Sequence, residues 1–415
     1  MKIPFFRPLV PAGALTALRD VLASGRLSTG PQVEALESRL SHWTNVRNVL
    51  AVNSCTAALH LALELLHVGP GDAVFIPTLA FAADFQVVDQ TGATAVLVDS
   101  ESDTLCMDPN ALEREVTRLH FDQPSLRPRA VIVVDYAGQM ADYASLQEVC
   151  LKWGMRLIED AAHAIPAGWR ATGNSRWQGP GNIADFACLS FYATKPITTG
   201  EGGALLISDD DLVRRARAMC LHGLEAKTDV RRLAGWKREV TDVGYKYNLS
   251  DLAATLGLCW MDELESHWEF RKHLVSLYTT ELSRFVEFCL PSELPNRKHA
   301  WHLYVIRLPN ICNESDRDKL IELLHERGVE VSVHWVPLHM HRRVKARALG
   351  GPRFPVAEEA YRTMISLPLF PGMKDVEVQY VCQQVLSSLP WKLSFRCEND
   401  SMSHFAHDSE RLRIT

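Results

Sequence analysis

Lys195 has the sequence surroundings of a reactive amine. The run 190–195 reads SFYATK, and the glycine-rich run TTGEGG follows at 198–203. A short apolar strand predicted at 186–189 places Lys195 in a turn at a strand end, the position of a lysine that forms a Schiff base. An amine is nucleophilic only without its proton, and a desolvated pocket lowers its pKa. The segment alone also fits an ordinary surface lysine in a loop.

Asp160 is the second candidate for chemistry. The run IEDAAH at 158–163 places it at the carboxyl end of an apolar strand, where open α/β sheets bind ligands. A carboxylate there can keep a pyridine nitrogen protonated, which makes the ring an electron sink. His163 is placed to touch such a ring, whereas Glu159 points to the other face of the strand. The local pattern fits a helix-capping Asp160 equally well.

Three weaker features could bind the phosphate and the ring of a planar, phosphorylated ligand. The turn VNSCTAAL at 52–59 runs into a helix, whose first N–H groups and the Thr56 hydroxyl can bind phosphate. Phe81 follows a strand and can stack on a ring, and Asn248 opens a helical stretch and can reach a phosphate. Helix capping explains Thr56 and Asn248 as simply, and core packing explains Phe81. Together with Lys195, the set is what a bound pyridoxal 5′-phosphate (PLP) requires.

Alternating strands and helices must position these residues. Short, continuous apolar runs predict strands buried on both faces, at 73–76, 94–98, 130–134, 155–158, 186–189 and 204–207. Helical patterns lie among them, at 31–43, 56–67, 111–119 and 144–152. This alternation predicts an α/β fold with a mostly parallel central sheet and helices on both faces.

The second part of the chain has a different pattern. It contains predicted helices at 249–283, 315–327 and 375–388 and predicted strands at 303–308 and 329–333. We therefore expect three regions: a large cofactor-binding domain with the N-terminal segment at 1–250, a smaller α+β domain at 251–390, and a polar, loosely ordered tail at 391–415.

Composition narrows the class of protein. The chain has 415 residues, 47% of them hydrophobic, which excludes a disordered or fibrous protein. Its formal net charge of −6 gives no global field for nucleic acid or an anionic membrane, so neither is an expected partner. We see no membrane span, secretion signal or metal-ligand cluster. Ten cysteines without a Cys-x-x-Cys pair predict buried free thiols and a cytoplasmic location.

The sequence resembles the DegT/StrS family of PLP-dependent sugar-nucleotide aminotransferases over about residues 5–390. The motifs that carry the resemblance are GP at 30–31, NSCTAAL at 53–59, EDAAH at 159–163, SFYATK at 190–195, GEGG at 200–203, GYKYN at 244–248 and HWVPLH at 334–339. Within the family it resembles the UDP-4-amino-4-deoxy-L-arabinose–oxoglutarate aminotransferases. That likeness is carried by DTL at 103–105, YAG at 136–138, HAWH at 299–302 and SLPLFP at 366–371.

The resemblance implies a type I, aspartate aminotransferase-like fold and the cofactor PLP, with pyridoxamine phosphate (PMP) as its intermediate form. Lys195 would bind the cofactor covalently and shuttle a proton, and Asp160 would pair with the ring nitrogen. The remaining cofactor contacts would be Phe81 stacked on the ring, His163 near the ring oxygen, and Cys55, Thr56 and Ser190 at the phosphate. Cys55 departs from the family, because relatives carry Gly or Ala there.

The resemblance also implies partners. Asn248 would reach the cofactor phosphate of a neighbouring subunit, which makes the working unit a homodimer with shared active sites. The substrates would be L-glutamate, which leaves as 2-oxoglutarate, and a nucleotide-linked keto sugar, most simply a UDP- or dTDP-4-keto sugar for lipopolysaccharide or antibiotic biosynthesis. Residues expected near the sugar nucleotide are Ser28, Thr29, His334 and His339.

Two alternative functions remain on the same fold. Some relatives are PLP- or PMP-dependent sugar-nucleotide dehydratases, in which histidine replaces the lysine, so Lys195 speaks against that reaction. The other alternative is a non-catalytic sugar-nucleotide sensor, which would be expected to have lost the lysine or the aspartate.

Overall fold

The strands of the described residues form one large sheet and two small ones. The structure is a computed structural model that describes residues 1–170, 175–225, 239–308 and 314–389. In chain order the strands are β1 (Asn48–Val52), β2 (Asp72–Pro77), β3 (Thr94–Val98), β4 (Arg127–Val134), β5 (Arg156–Asp160), β6 (Gly168–Trp169), β7 (Phe186–Ser190), β8 (Gly203–Ile207), β9 (Arg297–Lys298), β10 (Tyr304–Arg307), β11 (Leu349–Gly350) and β12 (Met364–Leu367). The large sheet has the order β1-β8-β7-β5-β4-β2-β3-β11.

Strand direction in the large sheet places the candidate residues at one edge. All of its strands run the same way except β8, which is antiparallel to both neighbours. Because β5 and β7 are parallel and Asp160 lies opposite Cys188, Asp160 and Ser190 both end their strands at the same edge. β1 ends there too and leads into the next helix, so the turn at 53–54 joins the same edge.

Helices cover the sheet and build the second unit. In chain order they are α1 (Ala14–Ser24), α2 (Pro31–Thr44), α3 (Cys55–Leu65), α4 (Ala82–Thr91), α5 (Pro109–Asp122), α6 (Tyr143–Trp153), α7 (Asp210–Cys220), α8 (Asp251–Leu282), α9 (Glu314–Glu326), α10 (Arg342–Lys345), α11 (Pro355–Thr363) and α12 (Asp375–Ser388). Local sequence sets their ends. Ser54 caps α3 by accepting a hydrogen bond from the N–H of Ala57, and Gly154, in the left-handed region, ends α6.

Two hydrophobic clusters hold these layers together. The larger surrounds the central sheet, whose strands are buried almost throughout, as expected for a sheet covered on both faces. The smaller joins the β10–β12 pair to the C-terminal half of α8, to α9 and to α12, with Ile3 from the N-terminal segment. α8 contacts α1, α2 and α12, so one helix of 32 residues contributes to both clusters.

The structure confirms the α/β class and corrects several details. The six predicted strands of the first part are present, but 329–333 is not a strand, because Val329 bridges Ile3 and Ser332 bridges Ser366 only singly. The predicted helices at 249–283 are the single helix α8. The division into domains at residue 250 stays a prediction, and the tail expected at 391–415 lies outside the described residues. No helix in the described part of the chain is long and apolar enough to cross a membrane.

Candidate active site

A cavity of about 610 Å³ lies at the carboxyl edge of the central sheet. Eight of the predicted site residues line it: Cys55, Thr56, Phe81, Asp160, His163, Ser190, Lys195 and His334. These residues come from turns and strand ends far apart in the sequence. Their convergence is a consequence of the strand directions described above.

Lys195 has the environment of a reactive amine. Its side chain is half-buried and lines the cavity. Burial lowers the pKa of its ammonium to about 8, although the negative charge of Asp160 opposes that shift. The Nζ atom lies 3.5 Å from Nε2 of His302. Burial and the positive charge of Lys195 hold the pKa of His302 well below its usual value, so this imidazole is neutral and can accept a hydrogen bond from the amine.

Asp160 presents a buried carboxylate to the same cavity. Its Oδ1 accepts a hydrogen bond from the N–H of Ala162 at 2.9 Å and lies 3.7 Å from Sγ of Cys55. Burial raises the pKa of Asp160, while the Ala162 bond and the charge of Lys195 act in the opposite direction. The carboxylate is therefore placed to hold a cationic ring nitrogen. The expected alternative, a helix cap, is not its role, since a turn and not a helix follows β5.

The N-terminus of α3 forms the polar end of the cavity. Ser54, Cys55 and Thr56 line it there, together with Ser190 from the end of β7. The first N–H groups of a helix have no partner within the helix, so those of Cys55 and Thr56 are available to an anion. Gly203 allows this arrangement, because a Cβ there would lie 2.6 Å from the backbone nitrogen of Cys55.

Neutral histidines and an aromatic ring form another part of the cavity wall. The ring of His163 lies 4.4 Å from that of His302 and stacks on Trp335 at 5.2 Å. His334 Nδ1 is 2.8 Å from Oγ of Ser366, and burial lowers its pKa to about 4. Desolvation likewise lowers the pKa of His163 well below its usual value. This wall therefore offers hydrogen-bonding groups without adding positive charge.

Four of the predicted site residues do not line the cavity. Ser28, Thr29, Asn248 and His339 are not among the described residues that line the cavity. Asn248 donates to Oγ1 of Thr29 at 2.8 Å, and Thr29 donates to the carbonyl of Leu249 at 2.6 Å. His339 Nδ1 lies 2.7 Å from Oγ1 of Thr78. The ligand contacts expected of these four residues stay predictions.

The sequence interpretation did not select several residues that line the cavity. They include Phe5, Phe6, Tyr192, His302, Trp335 and Leu367. His302 lies in the HAWH motif and Trp335 lies in the HWVPLH motif. Neither motif by itself predicts that His302 contacts Lys195. Phe5 reaches the cavity because Ile3 bridges Val329, which no local pattern of the N-terminal segment indicates.

The residues present fit a phosphorylated pyridine cofactor. A buried carboxylate, a low-pKa amine and an anion-binding helix terminus open into one cavity. Nδ1 of His163 and Nδ1 of His302 are buried without a hydrogen-bond partner among the described residues, as polar groups of a ligand site often are. Within the described part of the chain no group of three or more His, Cys, Asp or Glu side chains is arranged for a metal ion.

Comparison with known proteins decides the family. Residues 12–386 match the DegT/DnrJ/EryC1/StrS aminotransferase family. The chain belongs to this family. A spore coat polysaccharide biosynthesis protein of Bacillus subtilis, SpsC, is 34% identical over 387 residues, which are 92% of this chain and 96% of that protein.

Solved structures of aminotransferases agree with the fold. A putative sugar aminotransferase of Streptococcus pneumoniae in its PMP form has a TM-score of 0.86 and 29% identity, covering 93% of this chain and 99% of that one. The aminotransferase TlmJ of Streptoalloteichus hindustanus has a TM-score of 0.82 and 29% identity over 93% and 98% of the two chains. The Streptococcus protein is also known in a PLP form, at a TM-score of 0.84, 29% identity and 94% and 98% coverage.

The family assignment and the site give the same chemistry. This member of the family is a PLP-dependent aminotransferase with the type I fold, and its relatives are sugar aminotransferases. Lys195 and Asp160 lie in the cavity together, as the resemblance implies. The closer likeness to the arabinose enzymes stays a prediction, because none of the matches described above bears on it.

Proposed function

We propose that this enzyme moves the amino group of L-glutamate onto a nucleotide-linked keto sugar, most simply a UDP- or dTDP-4-keto sugar. The observation that carries the proposal is that the amine of Lys195 and the buried carboxyl group of Asp160 line one cavity. Burial lowers the pKa of this amine to about 8, so a fraction of it is unprotonated near neutral pH, as an enzyme that must repeatedly bind and release a carbonyl carbon requires. The sugar aminotransferases among its relatives support the substrate class.

Three side chains of the cavity have defined tasks in this scheme. Bound PLP supplies an electron sink and carries the amino group between the two substrates. Asp160 holds the proton on the ring nitrogen of the cofactor, and Lys195 Nζ takes and returns the proton of the substrate carbon. His302 Nε2 orients the Lys195 amine as a neutral acceptor.

The apolar wall excludes water from the reacting groups. It is formed by side chains from the N-terminal segment and from the second unit: Phe5, Phe6, Leu303, Trp335, Leu367 and Leu369. Exclusion of water strengthens the interaction between Asp160 and a protonated ring nitrogen. It also lowers the pKa of the Lys195 ammonium, which increases the fraction of unprotonated amine that the reaction needs.

We also propose that the working unit is a homodimer. Phe81 and Tyr192 line the cavity yet are 54% and 48% exposed, so a large part of each ring is open to a covering chain. Asn248 and Thr29 bond to each other and do not line the cavity, and we propose that Asn248 contacts the cofactor phosphate of a second subunit. Sedimentation velocity tests the assembly. Mixing the inactive variants Lys195→Ala and Asn248→Ala tests sharing, because shared sites restore part of the activity.

The eight described cysteines are free thiols, which supports a reducing cytoplasm as the proposed location. Six of them are buried, and the other two are half-buried. Buried thiols of this kind need no disulfide partner for stability.

The two half-reactions test the proposal separately. In the first, glutamate is added to the cofactor-loaded enzyme, and both 2-oxoglutarate and the loss of visible absorbance are measured. In the second, UDP- and dTDP-keto sugars are added one at a time, and the return of that absorbance is measured. We expect glutamate to bleach the band and one keto sugar to restore it. Restoration by none of them would overturn the proposed substrate class.

The mass of the product separates the alternatives. A gain of an amine supports aminotransfer, whereas a loss of water supports a dehydratase. Absence of cofactor binding would favour a non-catalytic sensor of sugar nucleotides. The matched control is Lys195→Ala, which should bind the phosphate end of the cofactor but show neither half-reaction.

A further inference from the structure

Arg271 is a buried cation beside two segments of the cavity wall. It lies on α8, is 2% exposed, and stays charged at neutral pH, because burial lowers its pKa only to about 10. No carboxylate of the described residues pairs with it. Its Nη1 instead donates to three backbone carbonyls, those of Trp301 at 3.2 Å, His302 at 3.4 Å and Leu369 at 3.1 Å. An apolar side chain would avoid the cost of burying an unpaired charge but could not hold the three carbonyls.

Two of these carbonyls belong to the HAWH turn, whose backbone is strained. Trp301 has a φ of 52°, in the left-handed region that a bulky residue rarely adopts. Its N–H donates to Nδ1 of His299 at 2.8 Å, and the N–H of His302 donates to the carbonyl of Ala137 at 3.1 Å. Such a conformation persists only where the surroundings hold it. The bonds from Arg271 to the carbonyls of Trp301 and His302 are part of that support.

The residue that follows the strained position is His302, whose ring faces Lys195. Its Nε2 lies 3.5 Å from Nζ of Lys195. An ammonium group can only donate, so Nε2 accepts and the neutral ring carries its proton on Nδ1. Burial holds the pKa of His302 well below its usual value. The neighbouring basic groups lower it further, in the order Lys195, His163, Arg271 and His334.

We propose that Arg271 is a positioning residue: by holding the carbonyls of the HAWH turn, it keeps His302 in place as the hydrogen-bond acceptor of the Lys195 amine. The inference rests on the role of Lys195 in the proposed function but not on the identity of the sugar. The third bond, to Leu369, joins the same guanidinium to the SLPLFP segment, and Leu369 and His302 both line the cavity. One side chain of α8 therefore ties together two segments of the cavity wall.

Two variants and a matched control separate this role from a purely structural one. Arg271→Met removes both the donors and the charge. Arg271→Gln serves if Arg271→Met does not fold, because its amide is polar but ends two bonds short of the Nη1 position. The control is Tyr278→Phe on the same helix. The Tyr278 hydroxyl donates at 2.8 Å to the carbonyl of Pro368, next to Leu369, so its loss disturbs the SLPLFP segment and not the HAWH turn.

The first measurement is the position of the proton on His302 in the cofactor-free protein. Nitrogen NMR of protein labelled at histidine distinguishes a proton on Nδ1 from a proton on Nε2, and His302→Leu identifies the signal. We expect the Nδ1–H form in the unaltered protein and in Tyr278→Phe. Arg271→Met and Arg271→Gln should show a mixture of the two forms, because a turn that is no longer held lets the ring move away from Nζ of Lys195.

The second measurement is the rate at which glutamate alone bleaches the cofactor-loaded enzyme. Arg271→Met should lower the maximal rate by roughly tenfold, the effect of about one hydrogen bond. The glutamate concentration at half-saturation should change little, because Arg271 does not line the cavity. In the His302→Leu background Arg271→Met should have little further effect, since both changes remove the same contact.

Three outcomes would overturn the proposal. The first is an Nε2–H form of His302 in the unaltered protein, and the second is an unchanged Nδ1–H form in a folded Arg271 variant. The third is an equal loss of rate from Arg271→Met with and without His302. If glutamate does not bleach the unaltered enzyme, the proposed function fails instead, and the proton position on His302 still decides the role of Arg271.

Discussion

The pKa of Lys195 can be tested without any substrate. Burial lowers it from 10.5 to about 8 in the cofactor-free protein. At about pH 7 this shift raises the free-amine fraction roughly 300-fold, to about one molecule in ten. The opposing contribution comes from Asp160, whose negative charge stabilises the ammonium. Removing that charge with Asp160→Asn should therefore lower the pKa further.

Reductive methylation with formaldehyde measures this pKa directly. The reagent is small enough for a cavity of about 610 Å³, and peptide mass spectrometry follows Lys195 separately from other lysines. The exposed Lys319 serves as an internal reference for the reagent. The modification of Lys195 should have its midpoint near pH 8, and the midpoint should move down in Asp160→Asn.

Two results would refute this reasoning. A midpoint near 10.5 would mean that the amine is solvated as in a free lysine. An upward movement in Asp160→Asn would mean that Asp160 does not act on Lys195 as a negative charge. Circular dichroism of the variant at each pH separates either result from unfolding.

Three other changes have effects that follow from the structure. Gly203→Ala places a Cβ 2.6 Å from two backbone atoms and should weaken PLP binding, whereas Gly69→Ala, with 3.9 Å to its nearest neighbour, should not; a PLP titration compares them. Burial raises the pKa of Glu159 to about 7. The folded protein therefore binds more protons than the unfolded chain between about pH 4.5 and 7, and stability from this group falls as pH rises. Glu159→Gln should flatten that fall in denaturant unfolding, and an unchanged slope would contradict the raised pKa of Glu159. Arg271→Met removes donors from three buried carbonyls and should lower the free energy of unfolding by at least about 2 kcal/mol; a smaller loss would show that water replaces the guanidinium.

The sequence predicts the strands of the central sheet well because each is a short apolar run. The sequence does not predict the strand β1 (Asn48–Val52), because its apolar run continues into the apolar helix α3. Only Asn53 and Ser54 separate the two elements. The edge strand β11 (Leu349–Gly350) has two residues and no pattern of its own. Its pairing with β3 depends on tertiary packing and not on local sequence.

The candidate site is predictable where its residues lie in motifs. The positions of Lys195 and Asp160 near strand ends, and the turn that leads into α3, follow from local sequence patterns alone. The contact between His302 and Lys195 spans 107 residues. Sequence spacing says nothing about this contact, because it arises where the segment before β10 packs on the turn after β4, with the N–H of His302 donating to the carbonyl of Ala137.

The transfer of nitrogen itself tests the central claim most directly. The cofactor-loaded enzyme is incubated with glutamate that carries a heavy nitrogen isotope and with a UDP- or dTDP-4-keto sugar. The mass of the sugar-nucleotide product is then measured by mass spectrometry. The account predicts a sugar nucleotide that contains the heavy nitrogen, formed over many turnovers by the unaltered enzyme and not by Lys195→Ala. Repeated turnover by Lys195→Ala, or a product without the labelled nitrogen, would contradict it.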